Sequence, residues 1–138
     1  MKHYYPLVIL LLLHTAFVFL NVYSISHVDS VMHLLGGVAL AMLISGLLVQ
    51  AVANSWCPDI GRLITLVLVM SLVATGAVWW EVYEWMSDRF LGTHFQAGLN
   101  DTMKDLVLGL LGGAGYAGLG FVTSAAASQR GRPMQSDV

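Results

Sequence analysis

Three pairs of ionisable residues stand at helical spacing in this sequence: Asp29 with His33, Glu81 with Glu84, and Asp101 with Asp105. Residues three or four apart share one face of a helix, so each pair points one way. Five carboxylates and one imidazole brought together cannot all carry charge uncompensated, because like charges a few Å apart oppose one another's ionisation. Either several stay protonated or a cation sits among them. An oxygen-rich set with one histidine suits Mg²⁺, Mn²⁺ or Ca²⁺ and accepts Zn²⁺. We read Asp29, His33, Glu84, Asp101 and Asp105 as candidate metal ligands, and Glu81, Glu84 and Asp105 as candidate catalytic carboxylates. A divalent metal held there would polarise a phosphoryl or carbonyl oxygen and activate water.

The elements that carry these pairs are apolar. Of 138 residues, 57% are hydrophobic and only 10% charged, and the mean hydropathy is +0.75, outside the balance of a soluble domain. A bilayer core needs about 20 mostly apolar residues per helix. Four stretches qualify, about 5–23, 31–53, 63–85 and 103–124. They predict an all-α polytopic membrane protein, a four-transmembrane-helix bundle forming one domain over 1–125. Residues 126–138, polar and short, read as a disordered cytoplasmic tail.

Lys and Arg in short loops stay on the cytoplasmic side. Lys2, Arg62, Arg130 and Arg132 then share one side against Arg89 and Lys104, which places both termini inside. Tyr4, Tyr5 and Trp56 flank the inner boundary, and Tyr23, Trp79, Trp80, Tyr83 and Trp85 the outer one. The first span also has the basic start and apolar centre of a signal peptide, but His14 and the bulky aromatics fit a retained helix better.

On this topology all three pairs reach the outer face. Six of the eight acidic residues fall there, including Asp88 beside Arg89, which reads as an ordinary interfacial charge. Each row continues inward as small residues: Gly37 and Ala41, Ala77 and Ala74, Gly109 and Gly113. Small side chains let membrane helices approach closely, so these faces are expected to pack together with the acids meeting above the contact. A carboxylate turned to lipid would instead cost at least about 2.5 kcal/mol. Helix N-termini favour acids and account in part for Asp29, Asp101 and Asp105; Glu81 and Glu84 sit at a C-terminus, where negative charge is disfavoured. His14 reads as a hydrogen-bonded packing residue.

The chemistry of many families is missing. One cysteine, Cys57, excludes an internal disulfide, and no HExxH, GxSxG or CxxCH stands in the chain. The Gly112–Gly120 run has no Lys and lies within a span, where it serves helix packing rather than phosphate. A net charge of −2 with no basic tract gives no case for nucleic acid. The expected partners are the lipid bilayer, an amphiphilic or lipid-linked substrate, and a second copy or partner helix.

The order "DSVMHLLGG", "WWEVYEW", "DTMKDLVLGLLGG" resembles the YjdF-type family of small bacterial inner-membrane proteins, similar in layout to the VanZ-like family. The match runs from Asp29 to about Ala114. The resemblance implies a multi-pass bacterial inner-membrane protein with Asp29, His33, Glu81, Glu84, Asp101 and Asp105 as its polar site, and implies no reaction. Ser30 and Gly109 depart from the family pattern. The leading functional expectation is metal-dependent hydrolysis or transfer on a lipid-linked or envelope substrate. A cation or proton relay and a structural or regulatory membrane subunit are the alternatives.

Overall fold

The computed structural model describes residues 2–25 and 27–130, with side chains up to residue 120. The chain is all-helical: α1 Tyr5–Phe19, a single 3₁₀ turn Val22–Ser24, α2 Val28–Ala53, α3 Arg62–Leu91 and α4 Leu99–Arg130. Two of these, α2 and α3, are long and apolar enough to cross a membrane. α1, with 15 residues, spans only about 22 Å at 1.5 Å per residue.

The ends of the helices differ from the apolar windows because helix termini accommodate charge that a hydropathy window rejects. α2 takes Asp29 into its first turn, α4 takes Asp101 into its first turn, and α3 continues past Trp85 through Asp88 to Leu91. Gly92 closes α3 in the left-handed conformation, φ 70°, which a glycine adopts without strain. α1 stops short of residue 23 because Asn21 turns left-handed, φ 55°, and the 3₁₀ turn folds Tyr23 back toward α1. Of the expected disordered tail, 126–130 continue α4 and 131–138 lie outside the described residues.

Helix packing is uneven. α2 and α4 share the most extensive contact, α3 packs on both, and α1 packs on α2 and meets α3 through the His14 ring against Trp80. Glycine makes the α2–α4 contact possible. A Cβ on Gly37 would strike the carbonyl oxygen of Gly109, and one on Gly112 would strike that of Leu34. Ala77 and Val73 of α3 close on Gly109 and Gly113. Below them a small apolar core gathers Ala41, Val69 and Val73, with Leu40, Ile44 and Tyr116 against it.

The interior is more polar than the surface. Among the described residues His14, Glu81, Glu84, Ser87 and Asp105 are buried, against only Ala39, Ala41, Val69 and Val73 of the apolar ones. Leu12, Phe19, Val49, Leu63 and Trp79 are instead each more than half exposed. An apolar exterior of this extent marks a surface covered by something other than water, and with two spanning-length helices it indicates membrane association.

Candidate functional site

The three expected pairs converge at one end of the α2–α3–α4 packing, one turn above the glycine contacts. His33, one turn above Gly37 on α2, is the hub. Its Nε2 lies 3.5 Å from Asp29 Oδ1 and 3.7 Å from Glu84 Oε1, and its Nδ1 lies 3.7 Å from Glu81 Oε1. Asp105, one turn above Gly109 on α4, is 2% exposed. Two groups have donor atoms within 4.8 Å of one another and could hold a metal ion: Asp29, His33 and Asp105, and His33, Glu81 and Glu84. Asp101 belongs to neither group. It pairs with Lys104, whose Nζ also lies 3.5 Å from Asp105 Oδ1.

Separations of 3.5–3.7 Å exceed hydrogen-bond length, and buried atoms are left without partners among the described residues. His33 Nε2, Glu81 Oε1 and Asp105 Oδ1 have no hydrogen bond. An unpaired buried polar atom costs about 1–3 kcal/mol, more when charged. The three come from three helices and meet at His33: Asp105 falls in one of the two ligand groups with it, and Glu81, facing its Nδ1, in the other.

Residues outside the three pairs hold the carboxylates in place. Trp80 Nε1 donates to Glu84 Oε1 at 2.8 Å. Gln96 Nε2, from the α3–α4 loop, donates to Glu81 Oε2 at 3.2 Å and to the Glu81 carbonyl at 3.1 Å. That loop is tied down by Asp88, which accepts from Thr93 Oγ1 at 2.7 Å and from the Phe95 and Gln96 amides at 2.8 and 3.0 Å. Asp88 is thus a loop anchor, and among the described residues it forms no ion pair with Arg89. Sequence spacing carries no sign of Gln96 because it sits in irregular backbone, 15 residues from its partner.

On the far side, His14 of α1 is buried and shares a 2.6 Å hydrogen bond through Nδ1 with the Tyr23 hydroxyl. Burial, with the Asp29 and Glu84 carboxylates nearby, pushes the Tyr23 phenol above the ordinary tyrosine range. Trp80 meets the His14 ring edge-on at 4.8 Å between centroids.

Compared with known proteins, the chain matches one family model over residues 3–126, described as a predicted membrane protein, DUF2238. No curated protein and no solved structure matches.

Proposed function

The chain belongs to the DUF2238 family of predicted membrane proteins, and on that premise we propose a four-helix membrane protein whose acid and histidine cluster holds a divalent cation for hydrolysis or transfer on a lipid-linked or envelope substrate. The observation that supports it is the set of unpartnered buried atoms, His33 Nε2, Glu81 Oε1 and Asp105 Oδ1. A cation would satisfy buried atoms that no hydrogen bond among the described residues satisfies. On this reading His33 Nε2, Asp29, Glu84 and Asp105 are the ligands. Glu81 faces His33 Nδ1, where a carboxylate fixes the tautomer and orientation of a ligating imidazole. Mg²⁺, Mn²⁺ and Ca²⁺ suit the oxygen-rich set, and Zn²⁺ is also accepted. When bound, such an ion polarises a phosphoryl or carbonyl oxygen and lowers the pKa of bound water. Trp80 and Gln96 hold the carboxylates at their stations, and Glu84 or Glu81 takes the proton that a water gives up on attack.

The YjdF-type resemblance agrees with the family membership; the VanZ-like layout rests on motif order alone. The placement goes with it: a bacterial inner membrane, both termini cytoplasmic, and the cluster at the outer boundary. A second reading has one observation in its favour. Lys104 already pairs with Asp101 and Asp105, so part of the acidic charge is compensated within the protein, as it would be in a structural subunit whose acids lock the helices together.

Metal content by mass spectrometry separates the two. Protein purified in mild detergent and dialysed against a weak chelator is expected to keep about one divalent ion per chain, with Asp105→Asn losing it while remaining folded. No metal in either protein would leave the structural reading standing.

A further inference from the structure

Below the cluster lies a cavity of about 180 Å³ that shares Asp29 and His33 with it and whose remaining walls the metal reading does not use. Leu7, Leu10 and Leu11 of α1 form one wall, Gly76 and Ala77 of α3 the other, and Gly36 of α2 the floor. α1 and α3 make no backbone contact among the described residues, so the space is a cleft between them, bridged at its upper end by His14 on Trp80. Leu11, on its wall, is 43% exposed, and the cleft therefore reaches the apolar surface we read as facing lipid. A dry apolar cavity of about 150 Å³ accepts a benzene-sized guest. There is room here for a slender chain segment.

The upper end of the cleft is not closed by protein. His14, Tyr23 and Asp29 line it and also line a second, polar cavity of about 540 Å³ that reaches Glu84, Asp101, Lys104 and His94. An apolar cleft and a polar chamber thus join end to end at three shared residues. At the junction stands an unpaired polar atom. The Tyr23 hydroxyl and His14 Nδ1 share a hydrogen bond of 2.6 Å; in the tautomer where the hydroxyl donates, the ring proton stands on Nε2. That atom is buried and has no partner among the described residues, on a residue only 8% exposed.

We propose that the cleft between α1 and α3 takes the aliphatic chain of a membrane lipid whose head group lies in the polar chamber, with His14 Nε2–H donating to the oxygen that joins chain to head. The proposal deepens the reading above and rests on it only for what happens to the head group. Apolar walls match the chain, the unpaired donor matches the ester or ether oxygen, and the carboxylates of the chamber lie where a metal-bridged head group would stand.

The test uses the full chain in phosphatidylcholine vesicles containing a phosphatidic acid with a diazirine in mid-chain, irradiated and mapped by mass spectrometry. Adducts on Leu7, Leu10 and Gly76 are expected to exceed those on the outward residues Leu63, Ile64 and Val67 severalfold, because a chain held in the cleft dwells beside them while bulk lipid exchanges past the outward face. Gly36→Leu, whose Cβ would meet only the Leu10 side chain at 3.6 Å, is expected to bring cleft labelling down to the outward level with metal content unchanged. Leu11→Trp fills the same space from the opposite wall and serves if Gly36→Leu does not fold. Uniform labelling, labelling unmoved by either variant, or a cleft sealed against the probe by a second copy of the chain overturns the proposal. Cleft labelling without any bound metal upholds it while removing the metal reading; bound metal with uniform labelling does the reverse.

Discussion

Between α2 and α4, Gly37 lies so close to Gly109 that a Cβ would strike its carbonyl oxygen, whereas Gly36, its neighbour in sequence, meets nothing nearer than the Leu10 side chain at 3.6 Å. Successive residues on a helix point about 100° apart, so one glycine serves the tight seam and the next serves the loose side. The seam draws Asp105 to His33, because each stands one turn above a glycine of the contact. On the loose side α1 meets α3 through the His14 ring on Trp80 and Tyr83, and the cleft below stays open. Glycine closes one interface by removing a side chain and opens the other by the same means.

The largest expected effect attacks the seam. Gly37→Val must push backbone rather than a flexible side chain, and overpacking of a fitted core costs about 1–3 kcal/mol or more; Gly36→Ala should stay within about 0.5 kcal/mol. Thermal unfolding followed by size-exclusion chromatography in detergent checks this. Equal losses in the two variants would erase the difference between the sides.

Trp80 belongs to both regions, lining the cleft and donating to Glu84. Trp80→Phe keeps an aromatic wall and removes the donor, so the fold is expected to persist while metal affinity falls about tenfold, the effect of losing a group that orients a ligand. Chelator competition measures it, and an unchanged affinity would separate the cleft side from the ligands altogether.

The smallest effect lies at the 3₁₀ turn. Because its phenol is held above the ordinary tyrosine range, Tyr23 should not ionise with exposed tyrosines near pH 10. Ultraviolet titration of Tyr23→Phe is expected to overlay that of wild type up to about pH 11. A raised folded-state value means that Tyr23 favours the folded state fully below the unfolded tyrosine pKa and loses that contribution as pH climbs toward the higher folded value. An earlier divergence of the two curves would show the turn detached from α1.

What the sequence displayed and what it hid follow from period. Asp29 with His33, and Glu81 with Glu84, were legible as pairs because α-helical spacing places them on one face, and Gly37 and Gly109 were legible as small residues in the same rows. Asp101 shows the limit of that reasoning: its spacing to Asp105 is right, but Lys104, three residues on, stands at helical spacing too and takes its carboxylate in an ion pair. Gln96, the turn that returns Tyr23 to His14, and the gap between α1 and α3 depend on loop conformation and on where two helices stand apart. No hydropathy window reports either.

Asp88 offers a last consequence, for how the loop opens. Its single carboxylate holds the Phe95 and Gln96 amides and the Thr93 hydroxyl together, and Gln96 in turn holds Glu81. The loop over the acids is therefore expected to open as one unit, so that both amides exchange their hydrogens with solvent at one opening free energy.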